Sequence, residues 1–335
     1  MLQHVRHHLN DLPPGLTAGR ISRVDRTGYE VLTPDATLRV AALPPPADER
    51  DTPTVGDWLA LDGAVAVHRL ARSSLLARGS AAKHSGVQPL AANVDVVLVC
   101  AGLHTDLPVR RIERLLTLAW DSGALPVLVL TKADLCADPA SAQLQARRHA
   151  PGVEIAVVSA ATGDTAALQP SLREGSTLVL LGASGAGKST LVNALAGEEL
   201  MPVGESRQVD GKGRHTTSHR ELFALPCGAV VIDTPGLRGV ALQGGEQALA
   251  QAFSDVEELA VACRFADCAH VGEPGCAVQA SIDAGDLALE RVDSWRQLQR
   301  ELAFQARRKD ARLRSEERQR WKHVTKQQRA RGARP

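Results

Sequence analysis

Residues 182–189 read Gly-Ala-Ser-Gly-Ala-Gly-Lys-Ser, which is a complete Gly-x-x-x-x-Gly-Lys-Ser sequence. It follows an apolar strand predicted over Thr177–Leu181 and opens an amphipathic helix predicted over Lys188–Ala196. Glycines let backbone N–H groups curl around phosphate oxygens, and a helix N-terminus adds the positive end of its dipole. This feature requires a strand, a loop and a helix in succession, so it predicts an α/β sheet with a phosphate-binding loop.

The residue types in this loop assign roles. Lys188 is predicted to reach the β- and γ-phosphates as the catalytic cation, and the Ser189 hydroxyl is predicted to ligate Mg²⁺. The predicted phosphate-binding residues are Gly182, Ala183, Ser184, Gly185, Ala186, Gly187, Lys188, Ser189 and Thr190.

A second strand and turn lie farther along the chain. The apolar stretch Ala229–Ile232 leads into Asp233-Thr-Pro-Gly236. We predict that Asp233 acts on Mg²⁺ and that the Gly236 N–H contacts the terminal phosphate. The polar segment Gly213–Thr217 lies between the two motifs and suits a first switch loop, with Thr217 completing the Mg²⁺ shell; an ordinary polar loop is the alternative.

A further motif indicates the base. Thr131-Lys132-Ala133-Asp134 follows the apolar strand Pro126–Leu130. The Asp134 carboxylate can accept from N1–H and from the 2-amino group of guanine, and adenine has neither donor there. The stem of Lys132 would lie along the base, and Thr131 stands where Asn is usual, keeping a hydroxyl but losing the amide. Ser159-Ala160, at the end of another strand, suits a backbone N–H contact to the guanine oxygen.

The order of the motifs is unusual, because the base-reading residues precede the phosphate-binding loop. Near-continuous apolar strands alternate with helices from about residue 93, which indicates a mainly parallel sheet covered on both faces. Moved chain termini can build the same sheet. The central unit is therefore predicted to be a circularly permuted α/β P-loop GTPase domain over residues 85–242.

The flanking regions have different patterns. Five short strands separated by turn residues precede residue 75 and predict a β-barrel of OB type over residues 1–75. Beyond about Gly245 the chain is helical, and its last predicted helix carries Leu289, Val292, Trp295, Leu298 and Leu302. Residues 243–335 are predicted to form a mainly helical zinc domain.

The cysteines support that prediction. Three of the six, Cys263, Cys268 and Cys276, cluster with His270 in a Cys-x₄-Cys-x-His-x₅-Cys pattern. Three thiolates and an imidazole form a closed tetrahedral Zn²⁺ site of the structural kind, which leaves no open position for catalysis. Unliganded loop cysteines are the alternative.

Charge is distributed unevenly along the chain. Residues 307–335 contain twelve Arg or Lys and three Asp or Glu, so this tail carries +9 in a chain of net charge +1. A concentrated basic tail indicates a polyanionic partner, and a solvated terminus is the alternative. With aromatic residues at 3% of the chain, backbone and shape recognition is favoured over base stacking. No apolar run is long enough to cross a membrane, and we expect a cytoplasmic monomer.

Taken together, the permuted order, Gly-Arg-His-Thr-Thr at 213–217, Asp-Thr-Pro-Gly at 233–236 and the Cys/His pattern ending in Glu-Pro-Gly-Cys at 273–276 resemble the RsgA (YjeQ) family. Val55-Gly-Asp57 and Ala91–Asp95 also match that family, and Thr131 departs from it. The resemblance implies a GTPase that binds the small (30S) ribosomal subunit and its rRNA, assists its late maturation, and hydrolyses GTP slowly until the subunit stimulates it.

Two residues bear on the rate of hydrolysis. Leu237 occupies the position at which Ras-like enzymes carry a water-orienting Gln, and a leucine cannot orient water. We hypothesise that His215 approaches the γ-phosphate when the subunit orders the first switch loop; a packing or RNA-contacting role for His215 stays open. Two other functions remain in view, namely an ATP-dependent P-loop enzyme such as a small-molecule kinase and a non-catalytic RNA-binding scaffold.

Overall fold

The N-terminal strands close into a small barrel. The computed structural model describes residues 12–25, 27–79, 87–201, 220–233 and 245–307. The barrel strands are β1 (Thr17–Val24), β2 (Gly28–Leu32), β3 (Thr37–Ala41), β4 (Trp58–Asp62) and β5 (Val65–Arg69). β1 pairs antiparallel with β2 and with β4, β2 pairs with β3, and β4 pairs with β5. Since β3 also lies beside β5, the strand order is that of the predicted OB-type barrel.

The alternation of side chains along these strands explains the barrel. One face of each strand carries apolar residues, which together form a closed core of Ile21, Tyr29, Val31, Val40, Leu59 and Leu61. Gly28 permits a close approach of β2 to β3, because a Cβ at this position would lie 2.2 Å from the Val40 carbonyl oxygen. Any larger residue there would force the two strands apart.

A mainly parallel sheet follows the barrel. Its strands are β8 (Val96–Gly102), β9 (Leu125–Thr131), β10 (Glu154–Val157), β11 (Thr177–Gly182), β12 (Glu221–Ala224) and β13 (Val230–Asp233). They lie in the order β10-β9-β8-β11-β13-β12, with only β12 antiparallel to its neighbour β13. The strands before β11 in sequence thus fill one side of the sheet, which is the arrangement that the permuted motif order predicts.

Helices cover this sheet. They are α1 (Val109–Asp121), α2 (Pro139–Arg147) and α3 (Lys188–Ala196). Two separate apolar clusters form, one with α1 and one with α3, and the β8 side chains alternate between them: Val97 and Val99 contribute to the first, and Val96 and Leu98 to the second. Burial on both faces explains why the strands read as unbroken apolar runs.

The barrel and the parallel sheet are joined edge to edge. β1 pairs antiparallel with β12 at Arg23 and Glu221, so one continuous sheet runs through both units. Arg20 of β1 is buried at the junction, where its guanidinium donates to the Thr177 hydroxyl at 2.7 Å and to the Gly56 carbonyl at 3.3 Å. Burial lowers the pKa of Arg20 to about 10, so the side chain remains charged near neutral pH.

The C-terminal region is built from helices in its described part. These are α4 (Glu246–Ala252), α5 (Ser254–Val261), α6 (Ala277–Asp283) and α7 (residues 289–307). The apolar core shared with α1 includes Val292, Trp295, Leu298 and Leu302 of α7, whereas Leu289, the first apolar residue of the predicted helix, is exposed. The guanidinium of Arg291, 1% exposed, donates to Asp255 and to Glu113 of α1.

Three strands and one helix were missed from the sequence. β6 (Leu75–Gly79) and β7 (Val87–Ala92) form an antiparallel hairpin between barrel and sheet, and β12 and α2 were not predicted either. The bounds predicted for the strands now labelled β9, β11 and β13 and for α3 agree with the structure within one residue. Among the residues that the structure describes, none of the helices has the length and apolar character that crossing a bilayer requires.

Candidate functional site

The predicted nucleotide-binding residues converge on one edge of the parallel sheet. The carboxyl ends of parallel neighbours meet at the same edge, and ligands of open α/β sheets bind there. β11 ends at Gly182, β9 ends at Thr131, β10 leads to Ser159, and β13 ends at Asp233. β8 lies between β9 and β11 and brings the base-reading and phosphate-binding motifs side by side.

The loop from β11 to α3 has the geometry of a phosphate cradle. Gly185 and Gly187 both adopt φ of +79°, a conformation that favours glycine. At Gly182 a Cβ would lie 2.5 Å from the Cys100 carbonyl oxygen, so no side chain fits there. Gly187 precedes the first turn of α3 and has no side chain that could cap it, which leaves the N–H groups of that turn available to an anion.

Lys188 is held over this loop by the backbone. Its ammonium donates to the Gly182 carbonyl at 3.0 Å and to the Ala183 carbonyl at 2.6 Å. Ser189 and Thr190 follow in the first turn of α3 and are half-buried. Beneath the loop, burial raises the pKa of the Cys100 thiol to about 12, so the thiol stays protonated near neutral pH.

Thr131 makes a contact that the sequence did not predict. It is 2% exposed, and its hydroxyl donates to the Ala186 carbonyl of the phosphate loop at 2.8 Å. The Ala101 carbonyl lies at 3.3 Å from the same oxygen. A hydroxyl has one proton to donate, and here the hydrogen bond joins the predicted base-reading motif to the predicted phosphate loop.

The other predicted base-reading residues are adjacent to one another. Lys132 adopts a left-handed conformation with φ of +58°. Its stem lies near Gly187 and its ammonium is 3.5 Å from Nε2 of His104. The Ser159 hydroxyl donates to Oδ1 of the exposed Asp134 at 2.5 Å, and the Ala133 N–H donates to the Val158 carbonyl.

The loop after β10 is closed on itself. Ser159 and Asp164 exchange two backbone hydrogen bonds of 2.9 Å. Ala160 lies in this turn and is half-buried. The turn fixes the position of the Ser159 hydroxyl, and through it one oxygen of Asp134.

Part of the predicted site lies outside the described residues. This applies to His215 and Thr217 in the predicted first switch loop, to Gly236 and Leu237 after β13, and to the basic tail beyond residue 307. Asp233 is described, half-buried at the end of β13 beside β11.

The four predicted zinc ligands come together in the C-terminal region. One ligand atom from each of Cys263, Cys268, His270 and Cys276 lies within 4.8 Å of the others. The sulfurs of Cys263 and Cys276 are 3.9 Å apart, and Nδ1 of His270 is 3.4 and 3.6 Å from them. Zn–S bonds of about 2.3 Å and Zn–N bonds of about 2.0 Å in a tetrahedron give separations of about 3.8 and 3.5 Å. The donor set therefore fits Zn²⁺ in both chemistry and spacing.

Neighbouring groups hold the ligand loop in place. The Glu273 carboxylate accepts from the N–H groups of Ala269 and Val271 at 3.0 and 2.7 Å. Hydrogen bonds from its own N–H and from that of Val271 lower the pKa of Glu273. Arg296 of α7 donates to the His270 carbonyl, and the Cys276 sulfur accepts from the Gln279 N–H at the start of α6.

Comparison with known proteins decides the family. A profile described as RsgA GTPase matches residues 69–243. A Streptomyces avermitilis protein named small ribosomal subunit biogenesis GTPase RsgA is 49% identical over 317 residues, covering 92% of this chain and 85% of the relative. This chain belongs to the RsgA GTPase family. Another RsgA, from Xanthomonas axonopodis pv. citri, is 45% identical over 88% of this chain and 83% of its own length.

Solved structures agree on the fold. YjeQ from Thermotoga maritima superposes with a TM-score of 0.63 at 23% identity, covering 86% of this chain and 99% of that one. YloQ, described as a circularly permuted GTPase, gives 0.59 at 24% identity, covering 89% of this chain and 96% of that one. The permuted RsgA fold predicted from the motif order is thereby confirmed, and the chain is a GTP hydrolase of this family.

Sequence reasoning missed contacts that join distant parts of this RsgA-family chain. Thr131 was predicted to bind the nucleotide because of its place in the motif, but its hydrogen bond to the phosphate loop was not predicted. Nothing local signals that His104 would lie beside Lys132, or that Arg291 would be buried. The one sequence feature that indicates burial of Arg291 is its place among the apolar positions of its helix.

Proposed function

We propose that this chain is a cytoplasmic GTPase that binds the small ribosomal subunit and assists its late maturation, with slow GTP hydrolysis that the subunit stimulates. The observation that carries the proposal is the convergence of the base-reading and phosphate-binding motifs at one sheet edge, joined by the Thr131–Ala186 hydrogen bond. Relatives at 49% and 45% identity are named for small ribosomal subunit biogenesis, which supports the choice of partner.

The proposed roles of the site residues follow from their places in the motifs and, for Lys188, Ser189 and Asp233, from the described geometry as well. Lys188 would exchange its two loop carbonyls for the β- and γ-phosphate oxygens, while the first N–H groups of α3 bind the phosphates. Ser189, Asp233 and Thr217 would hold Mg²⁺, which when bound neutralises charge on the β- and γ-oxygens. The Gly236 N–H would contact the γ-phosphate. His215 would approach it only in the stimulated complex.

The base would be read by a carboxylate that is already oriented. The Ser159 hydroxyl donates to one oxygen of Asp134, which restricts the orientation in which the carboxylate would meet guanine. Lys132 would cover a face of the base, and the N–H of Ala160 would meet the guanine oxygen. This arrangement favours a GTPase over the kinase-like alternative, because adenine offers no donor to Asp134.

Asp134→Asn should change the nucleotide preference. The amide places a donor where the carboxylate accepts from guanine, so we expect GTP affinity to fall about 100-fold through the loss of charge-assisted hydrogen bonds. Xanthosine triphosphate, which carries a carbonyl in place of the 2-amino group, should bind better than to the wild type. Calorimetric titration of both nucleotides measures this. Asp164→Asn, an exposed carboxylate on the same edge, is the control; equal GTP affinity in the two variants would contradict the assignment.

Thr131→Val should weaken GTP binding by about tenfold. The valine has nearly the same shape but leaves the buried Ala186 carbonyl without its donor, a loss on the order of 1–2 kcal/mol. Thr131→Ser keeps the hydroxyl and should bind GTP nearly as the wild type does. Dissociation constants for GTP measured on both variants check the prediction, and identical constants would exclude the hydrogen bond as a contributor.

The zinc and basic parts would serve the architecture and the partner. We propose three units, at residues 1–75, 85–242 and 243–335, with one structural Zn²⁺ on Cys263, Cys268, His270 and Cys276. The metal would fold the 263–276 loop, and through it place α6 and α7 against α1. The basic tail would contact rRNA phosphates, with the protein acting as a monomer.

Cosedimentation tests the partner. The purified protein with a non-hydrolysable GTP analogue should pellet with isolated small subunits and not with large subunits. Binding should weaken steeply with added salt, as phosphate contacts require. Equal pelleting with both subunits would make the ribosomal assignment wrong while leaving the GTPase assignment intact.

A further inference from the structure

The imidazole of His104 has a defined place at the nucleotide edge of the sheet, although the residue is exposed. His104 lies two positions beyond the last residue of β8, Gly102, and its ring packs over that glycine. A Cβ at Gly102 would lie 2.6 Å from Nδ1 and 2.8 Å from Cε1 of the ring. The glycine at the end of β8 therefore leaves the room that this imidazole occupies.

The chain that carries His104 is fixed to the strand that ends in the predicted base-reading motif. Gly102 pairs with Thr131 of β9, and the N–H of Leu103 donates to the Thr131 carbonyl at 2.8 Å. The Leu103 side chain is buried in the apolar core that includes α1. His104 and Lys132 each directly follow one of these anchored residues, so their backbones are held at a fixed separation.

The contact between the two side chains has a defined direction. The Lys132 ammonium lies 3.5 Å from Nε2 of His104, and within the described part of the chain it has no other hydrogen-bonding partner. An ammonium only donates, so Nε2 accepts and the imidazole carries its proton on Nδ1. Farther back, Cε of Lys132 lies 3.9 Å from the place that a Cβ of Gly187 would occupy. The lysine stem thus runs from beside the predicted phosphate loop to the imidazole.

We propose that His104 is a positioning residue for guanine binding: its imidazole accepts from the Lys132 ammonium and holds the lysine stem in place for the base. The inference rests on the proposed function, in which Lys132 covers a face of the base. A lysine side chain that a ligand has to order loses rotamer freedom on binding, whereas one that is already held loses little. His104 thereby raises nucleotide affinity without touching the nucleotide.

An imidazole suits this role beside a site for a polyphosphate. A carboxylate at position 104 would also accept from the ammonium, but it would add a negative charge near the predicted phosphate loop. The imidazole supplies a lone pair without that charge. Glutamine also supplies an uncharged acceptor on a side chain of similar reach, so it is the conservative substitution at this position.

The test measures GDP dissociation constants and GTP turnover for His104→Ala, His104→Gln and the control Thr105→Ala in the full-length protein. Thr105 is exposed on the same loop, and its hydroxyl donates to the adjacent Asp106 carbonyl at 3.5 Å. For His104→Ala we expect the GDP dissociation constant and KM for GTP to rise about fivefold with kcat unchanged, because binding alone is affected. His104→Gln should stay within about twofold of the wild type, and Thr105→Ala should match it.

A double-mutant cycle tests whether His104 acts through Lys132. Lys132→Ala should weaken GDP binding by itself. Adding His104→Ala to that variant should weaken binding no further, because the imidazole then has no ammonium to hold. The unfolding temperature of each His104 variant should stay near that of the wild type, since the side chain is exposed.

Four results would overturn the inference. They are wild-type GDP affinity in His104→Ala, an equal loss in His104→Gln, losses that add in the double variant, and a loss of affinity matched by a loss of thermal stability. A wild-type protein that binds ADP as tightly as GDP would instead count against the proposed function. The cycle would still decide whether His104 acts through Lys132.

Discussion

Lys188→Ala should reduce GTP turnover by about 100- to 1,000-fold, the effect of removing one preorganised donor from a site of developing charge. The ammonium lies over the loop on the Gly182 and Ala183 carbonyls, 3.0 and 2.6 Å away, at the place where phosphates would bind. Alanine leaves the loop backbone intact but removes the cation that would neutralise the β- and γ-phosphates. Phosphate release at saturating GTP measures the loss.

A matched control separates this effect from general charge effects. Arg147 is an exposed cation at the last residue of α2, a helix that begins near the nucleotide edge and ends away from it. Arg147→Ala should hydrolyse GTP as the wild type does. Residual turnover above a tenth of wild type in Lys188→Ala, with nucleotide bound, would mean that another group supplies the catalytic charge.

Cys276→Ser should abolish metal binding and unfold the C-terminal region. The cysteine is buried, contributes to the core shared with α7, and its sulfur accepts the Gln279 N–H at the start of α6. Serine keeps a capping oxygen but loses the thiolate. Structural zinc contributes about 10–16 kcal/mol to the folding of zinc-finger peptides, so its loss should destabilise the ligand loop and the helices next to it. We expect zinc content to fall from one per chain toward zero and hydrogen exchange to accelerate across residues 263–307.

Nucleotide binding serves as an internal control for Cys276→Ser, because the predicted nucleotide site lies at the sheet edge and away from the metal cluster. That site is built from β8, β9 and β11, so GDP binding should persist when the metal is lost. Cys227→Ser, at an exposed cysteine outside the cluster, should retain zinc and stability. Full protection of residues 263–307 in metal-free Cys276→Ser would show that the four ligands pack without needing an ion.

The sequence was most informative where function depends on consecutive residues. The phosphate loop, the Lys132/Asp134 pair and the cysteine cluster each require particular residue types at fixed spacing, so each could be predicted from nearby residues. The structure brings the cysteine cluster together with His270, and the nucleotide-binding roles stay predictions. The barrel and the parallel sheet could be predicted equally well. Strands in which apolar and polar residues alternate have one buried face, and strands with unbroken apolar runs have two.

Long-range contacts were not readable in the same way. The Thr131 hydroxyl meets a carbonyl 55 positions away, and Arg220 meets one 131 positions away. The pairing of β1 with β12 joins strands from separate units through a single register pair. Such contacts depend on the topology of the folded sheet. The sequence around a threonine or an arginine does not indicate which distant residue it will contact.

The measurement that tests the central claim most directly is GTP hydrolysis by the wild-type protein, with and without isolated small ribosomal subunits. We predict slow turnover alone and stimulation of about tenfold or more by small subunits, as expected when a partner orders catalytic groups around the γ-phosphate. Large subunits should have no effect, and ATP should not be hydrolysed. Slow turnover that small subunits leave unchanged would contradict the proposed function and require another partner for the basic tail.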